Sequence, residues 1–257
     1  MNAPPLLADA AFCAALPKAE LHLHIEGTLT PAQKLTLARR HRHAMASMTL
    51  EQIEQTHHFG GSGSPEVDLK QMLDCYYGGI ELLSTRSDFF DTALAYLDQC
   101  HREGVRYAEI SFDPQAHTSR GVPMADVVVG LYDALQYGRA TWGVQAQLIL
   151  CINRDRSVDS ALATLDEAAP YRECGWIVGL GGSRAESAEI PADVAAWDLD
   201  PAGDAVTGTL RLLRRLLRRH RIALRLFLAQ QVRLLSGDSR LLCRSLACQR
   251  GTPWRCA

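Results

Sequence analysis

The sequence predicts an α/β fold of the TIM-type (β/α) barrel class, with about four of eight strands and an irregular Leu/Arg-rich C-terminal tail. The chain has 257 residues, of which 47% are hydrophobic, so it can bury a sizeable core. Strand-like and helix-like segments alternate up to residue 180, as in parallel βαβ units. No strand pattern follows. We therefore divide the chain into a half-barrel at 1–181 and a non-matching tail at 182–257.

The first predicted strand covers residues 19–26 (AELHLHIE), where polar and apolar residues alternate strictly. This period of two is typical of β-structure. A glycine ends the alternation, and Thr28 or Thr30 can cap a helix that begins near Pro31.

Three further strands are predicted from short apolar runs, over 105–112, 144–151 and 174–180. Residues 57–66 are predicted to form a loop because of their glycine and serine content. Helical periodicity predicts helices over 8–17, 67–84, 87–103, 123–137 and 157–169.

The strongest functional signal is the pair His22 and His24 on the first predicted strand. Residues i and i+2 of a strand share a face, with Cα atoms about 6–7 Å apart. Two imidazoles can therefore converge on one zinc ion, each nitrogen about 2.0–2.1 Å away. We expect Glu20 and Glu26 on the same face, and burying four ionisable groups is costly unless they are paired or metal-bound. The opposite face, toward the helices, is expected to carry Leu21, Leu23 and Ile25.

A solvent-exposed edge strand with two incidental histidines is the alternative interpretation of this motif. Glu20, Glu26 and the glycine that follows favour the metal site, since charged groups in one row are hard to explain by packing.

These segments resemble a known family. Residues 16–29 (LPKAELHLHIEGTL) resemble the opening motif of the adenosine and adenine deaminases, which are metal-dependent amidohydrolases. Residues 104–121 (GVRYAEISFDPQAHTSRG) resemble the second strand and following loop, and are closer to the bacterial adenine deaminases. Residues 148–151 and 174–181 fit the third and fourth strands, so the resemblance covers about 11–181.

The resemblance implies hydrolytic deamination of a 6-aminopurine, adenine or adenosine, by a zinc-activated water. His22 and His24 would be metal ligands, and Glu26 would contact the substrate or a nearby lid. Asp113 and His117 follow a strand end, on the catalytic face of a barrel, so they are candidates for contacting substrate or for supporting the residues that do. Capping of the turn by Asp113 is the alternative.

The second half of the family's site is missing from the sequence, so no catalytic residue is identified. The family also uses a third histidine ligand, a glutamate general acid/base in a HAGE-like motif, a further histidine and an aspartate ligand. Beyond His117 the only histidine is His220, and no glutamate follows Glu189. A phosphoesterase of the polymerase-and-histidinol-phosphatase type would need even more histidines. A non-catalytic remnant or partner-binding protein is therefore the alternative function.

The tail differs in composition from the rest of the chain. Residues 205–257 contain twelve arginines, no lysine and one acid, whereas the whole chain has a net charge of −2. Such a bias is expected from a GC-rich gene translated in a wrong frame, and we expect a frameshift or misassembled gene near codons 181–187. Arginines lie on most faces of the Leu/Arg stretch 210–228, so neither a membrane nor a nucleic acid is expected as a partner.

The remaining composition predicts a cytoplasmic protein. The eight cysteines form no CxxC pair, the N-terminus lacks a basic segment typical of signal peptides, and no apolar run reaches about 18 residues. A small-molecule purine is the expected partner, and the sequence leaves the oligomeric state open.

Overall fold

The computed structural model describes residues 10–153 and 156–183, which form one parallel sheet with helices between its strands. The strand order is β1-β2-β3-β4, and all three strand pairs are parallel. The predicted α/β class is therefore confirmed. From residue 184 onward the predicted tail, with the stretch 210–228, lies outside the described residues.

The strands are β1 (Lys18–His24), β2 (Val105–Phe112), β3 (Gln145–Asn153) and β4 (Ile177–Ser183). The helices are α1 (Ala10–Ala15), α2 (Pro31–Arg40), α3 (Leu50–Thr56), α4 (Pro65–Ile80), α5 (Arg86–Glu103), α6 (Pro114–Thr118), α7 (Met124–Trp142), α8 (Val158–Glu167) and α9 (Ala169–Glu173). Two short 3-10 turns lie at Ile25–Thr28 and Ala44–Ser47.

Local sequence signals account for most of these boundaries. Thr30 caps α2 in a capping box with Gln33, which confirms one of the two predicted caps. Gly104 ends α5 in the left-handed conformation with φ of 77°, which is open to glycine at little cost. The helices α3, α6 and α9 were not predicted, because all three are too short to show a periodic apolar pattern.

The core lies between the sheet and the helices α5 and α7. Alternate side chains of β2 and β3 point into it and are fully buried, among them Ala108, Ile110 and Leu148. The two helices approach closely at Gly130, where an added Cβ would lie 2.4 Å from the carbonyl oxygen of Arg86. On the opposite face of the sheet, the Tyr107 hydroxyl lies 3.0 Å from side-chain oxygens of both Glu109 and Gln147, so that face is polar.

β1 departs from the regular alternation that the sequence predicted. Its register with β2 shifts between Glu20 and Leu23. Glu20 pairs with Ala108, whose side chain is buried in the core, and its carboxylate accepts a hydrogen bond of 2.7 Å from Tyr96 of α5. The prediction that Glu20 shares a face with His22 and His24 is therefore wrong, because the bulge reverses the alternation.

Two of the three apolar side chains expected to face the helices do so. Ile25 is buried in the core and Leu23 packs against it, but Leu21 is 46% exposed. Leu21 lies within the irregular part of β1, where a residue loses its place in the alternation. Among the described helices, none is both long and apolar enough to cross a lipid bilayer.

A buried carboxylate joins the start of α5 to the end of α2. Asp88 has no exposed surface and accepts hydrogen bonds from Arg40 (2.6 Å) and His41 (2.7 Å). It also accepts from the backbone N–H groups of Ser84 and Thr85. Burial alone would raise the pKa of Asp88, but these hydrogen bonds, foremost from Arg40, outweigh burial and lower its pKa.

We expect Asp88→Asn to lower the free energy of unfolding at pH 7 by about 2–4 kcal/mol, because it removes the charge from a buried, paired position. Since the folded-state pKa is depressed, this stabilisation is complete above the ordinary pKa of about 4 and is lost as the pH falls toward the lower folded-state value. Urea unfolding of both proteins between pH 3 and 7 measures the difference.

Asp98→Asn on the same helix is the matched control, since Asp98 pairs with Arg102 at the surface. Its effect should stay within about 0.5 kcal/mol. A difference between wild type and Asp88→Asn that persists unchanged at pH 3 would contradict the electrostatic explanation.

Candidate metal centre

The carboxyl ends of the parallel strands meet at one edge of the sheet, where substrates dock in folds of this kind. β1 ends at His24, and Asp113 directly follows β2. Cys151 lies near the end of β3. The topology therefore brings an imidazole, a carboxylate and a thiol together from three neighbouring strands.

His22 and His24 lie side by side at the end of β1. Their ring centroids are 6.3 Å apart and the rings are tilted by 55°. His22 is exposed, and the His24 side chain is 22% exposed. His24 pairs with Ser111 of β2, on the polar face of the sheet. This arrangement leaves both rings accessible from the strand ends.

The two imidazoles differ in their electrostatic surroundings. Burial and the neighbouring His24 lower the pKa of His22. Burial also acts to lower the pKa of His24, but its hydrogen bond to Asp113 and the charges of Asp113 and Glu26 outweigh burial and raise it. His22 is thus the more readily neutral imidazole, and neutral imidazole is the form that binds a metal.

Glu26 is buried in the 3-10 turn after β1, with only 1% of its surface exposed. One carboxylate oxygen accepts the backbone N–H of Asp113 at 2.8 Å and lies 3.2 Å from Nε2 of His117. The other lies 3.4 Å from the hydroxyl oxygen of Tyr76, whose single proton is donated to Asp113. The Glu26 carboxylate is therefore surrounded by residues of α4, of α6 and of the position just before α6.

Asp113 is also buried, and its carboxylate turns toward β1. Oδ2 accepts a hydrogen bond of 2.7 Å from the Tyr76 hydroxyl and lies 3.2 Å from Nδ1 of His24. Its side chain makes no capping bond to α6, so the capping interpretation is wrong: the carboxylate is drawn instead to the stronger donors across the sheet. Burial, together with the charges of Glu26 and Asp113, raises the pKa of Tyr76, which keeps the phenol protonated as a donor.

His117 lies behind Glu26 and has no exposed surface. Its Nδ1 is 3.1 Å from Nη2 of Arg120, and a guanidinium can only donate, so Nδ1 accepts and Nε2–H donates to Glu26. His117 therefore supports Glu26 from behind and forms, with it, the buried wall of the site, an arrangement that favours the supporting role over contact with substrate.

Arg120 fixes this wall to the junction between α4 and α5. Its guanidinium donates to the backbone carbonyls of Ile80 and Leu83 at 2.9 and 2.8 Å, and to that of Glu81 at 3.1 Å. One side chain thus satisfies three carbonyls near the end of α4, which would otherwise need water.

The donor set at the strand ends fits a divalent ion of the zinc type. Ligand atoms of His24, Asp113 and Cys151 all lie within 4.8 Å of one another. Imidazole nitrogen, carboxylate oxygen and sulfur are the donors that zinc prefers in proteins. Burial raises the pKa of the Cys151 thiol, with further contributions from Asp113 and Glu26, so it is the weakest of the three donors as long as it stays protonated.

Sequence analysis missed Tyr76, Cys151 and Arg120. Tyr76 lies on a helix distant in sequence, and Cys151 is one of eight scattered cysteines. Arg120 belongs to the stretch 104–121 that resembles the family, but the sequence gives no role for it. The only available signal was their location: Cys151 and Arg120 lie at or beyond strand ends, where a barrel collects functional side chains.

A parallel α/β sheet with a histidine pair and buried carboxylates at its strand ends is an arrangement typical of (β/α)-barrel hydrolases. The family model described as adenosine deaminase matches residues 17–199, more than half of the chain. The chain belongs to this family, as the resemblance of residues 16–29 and 104–121 predicted.

Curated relatives agree with this assignment. The chain is 43% identical to an adenine deaminase of Sphingopyxis alaskensis over 183 residues, which are 71% of this chain and 51% of that protein. It is 45% identical to an adenine deaminase of Streptomyces coelicolor over 176 residues, 68% of this chain and 49% of that protein. The chain thus spans about half the length of the curated relatives it matches.

Solved structures show the same fold. The crystal structure of adenine deaminase from Arthrobacter aurescens superposes with a TM-score of 0.64 at 36% identity, covering 80% of this chain and 55% of that one. An amidohydrolase from Burkholderia ambifaria, solved with bound zinc, superposes with a TM-score of 0.62 at 24% identity, covering 79% and 52%.

We expect Glu26→Ala to lower the free energy of unfolding by about 2–4 kcal/mol, because it leaves His117 and the N–H of Asp113 buried without their acceptor. Glu26→Gln should cost less, about 1–2 kcal/mol, since its amide oxygen still accepts from one of them. Urea unfolding at pH 7 measures both values.

Glu167→Ala, which removes an exposed glutamate of α8, is the control and should change stability by less than about 0.5 kcal/mol. Equal effects of Glu26→Ala and Glu167→Ala would show that the buried hydrogen bonds contribute nothing net.

Proposed function

We propose that this chain is the metal-anchoring N-terminal half of a zinc-dependent deaminase that removes the 6-amino group of adenine by hydrolysis. The observation that carries the proposal is the adjacent pair His22 and His24 at the strand ends, beside the buried carboxylates Glu26 and Asp113. Adenine rather than adenosine is favoured as substrate because the curated relatives cited above are named adenine deaminases.

In this proposal His22 and His24 hold a zinc ion. A zinc ion bound there would supply a water of lowered pKa for attack on C6 of the purine, with release of ammonia. Support comes from the donor types at the site and from the amidohydrolase of similar fold that was solved with zinc. Glu26 and Asp113 would bind the substrate or order the site around it, and their carboxylates face the same strand ends as the histidines.

We further propose that this chain alone is catalytically incomplete. Two histidines are fewer than the three protein ligands usual in a catalytic zinc site. No HAGE-like motif occurs in the sequence, and His220 stands between two arginines, where a second cation is disfavoured. A non-catalytic protein is thus the second candidate function for the isolated chain. In either case the tail beyond residue 181 is proposed to arise from a frameshift, and an uninterrupted transcript encoding it would contradict that origin.

We expect the purified chain to bind zinc weakly and to release no ammonia from adenine or adenosine. Metal analysis after dialysis against micromolar zinc, together with an ammonia assay on both purines, tests this. The variants His22→Ala and His24→Ala should each lower zinc affinity by about tenfold or more, since each removes one of two ligands.

His101→Ala serves as the control for nonspecific histidine binding, because His101 stacks on Trp142 at the far end of α5. Zinc retained unchanged by both His22→Ala and His24→Ala would refute the metal site. Turnover of adenine by the purified chain would refute incompleteness while supporting the deaminase assignment.

A further inference from the structure

Asp113 holds an unusual position for a residue expected to contact substrate. It is 4% exposed, and its backbone N–H donates to Glu26 at 2.8 Å, which fixes the main chain at the end of β2. The side chain reaches across to β1, where one oxygen, Oδ2, receives both the Tyr76 hydroxyl and Nδ1 of His24. Two donors thus orient the carboxylate, while Glu26 fixes the main chain that carries it.

The contact to His24 determines which ring nitrogen remains available. A carboxylate can only accept, so Nδ1 of His24 carries a proton in this contact. In neutral imidazole the other nitrogen, Nε2, then has the free lone pair. A metal ion can be bound only through that lone pair.

We propose that Asp113 is a positioning residue that holds His24 with Nδ1 protonated and Nε2 directed at the metal ion. The inference rests on the proposed zinc site. A carboxylate that accepts the second ring N–H of a ligand histidine fixes its tautomer and orientation, and losing it costs about 10–100-fold in metal affinity. Tyr76 has a supporting part, since its hydroxyl anchors the same carboxylate oxygen at 2.7 Å.

Direct ligation by Asp113 is the main competing explanation, because its oxygen lies within 4.8 Å of the donor atoms of His24 and Cys151. Two features favour the positioning role. Oδ2 already accepts two donors, which occupy the lone pairs that would face an ion. The distance of 3.2 Å between Oδ2 and Nδ1 is also that of a hydrogen bond between them.

A double-mutant cycle on the full chain separates the two roles. Zinc affinity is measured by competition with a chromogenic chelator for wild type, Asp113→Ala, His24→Ala and the double variant. We expect Asp113→Ala to lower affinity by about 10–100-fold in the wild-type background. With His24 absent, the same substitution should change affinity by less than about twofold, because Asp113 acts through that ring.

Two controls guard against loss of folding. Asp113→Asn should recover most of the affinity, since its amide oxygen can still accept Nδ1–H, and Asp159→Ala removes an exposed acid of α8 without effect. Nitrogen-15 NMR of labelled histidine gives an independent readout. The His24 signals, identified by their absence from the spectrum of His24→Ala, should show the Nδ1–H tautomer in wild type and lose that preference in Asp113→Ala.

The outcomes distinguish this inference from the proposed function. A wild-type chain without zinc affinity would overturn both. Zinc affinity that depends on His22 and His24 but not on Asp113 would overturn the positioning role alone. A loss on Asp113→Ala that is as large without His24 as with it would show that Asp113 is itself a ligand, and would also overturn the positioning role.

Discussion

Two buried carboxylates, Glu26 and Asp113, organise the end of the sheet around them. Each would be unfavourable in the interior without donors, and each obtains them from elements far apart in sequence. The Tyr76 hydroxyl of α4 donates to Asp113 at 2.7 Å and lies 3.4 Å from Glu26, and the N–H of Asp113 donates to Glu26. The positions of β1, β2 and α4 at this edge are therefore coupled, and His24 takes its place as part of the same network.

The positions of the four strands and the helix caps could be predicted from the sequence because they depend on local chemistry, although β1, β3 and β4 end two or three residues from the predicted ends. Val105–Phe112 is a strand within the predicted bounds, Thr30 caps α2, and Gly104 ends α5. The shift of register in β1 could not be predicted, since it arises from how Glu20 and Leu23 meet β2. Polar and apolar residues alternate throughout AELHLHIE, but because of the register shift this alternation does not show on which face of the sheet Glu20 lies.

In the candidate site, too, some features could be predicted from local sequence and others depend on tertiary contacts. The pair of histidines was predicted from their spacing alone, and the rings do lie side by side. Their partners depend on tertiary contacts: Asp113 is 89 residues from His24, and His117 is 91 residues from Glu26. The spacing of residues within one strand can suggest which side chains bind a metal ion. The side chains that orient these ligands come from neighbouring strands and from α4, so they can be identified only from the tertiary structure.

The bonds of Arg120 have a consequence for how the molecule opens. Because one guanidinium holds both His117 and the carbonyls of Ile80 and Leu83, separation of the α4–α5 junction removes a partner from the wall behind Glu26. We therefore expect the junction and the wall to open together, as one cooperative unit in native-state hydrogen exchange. Amides of the two regions would then share one opening free energy, although some 35 residues of chain lie between Ile80 and Ala116.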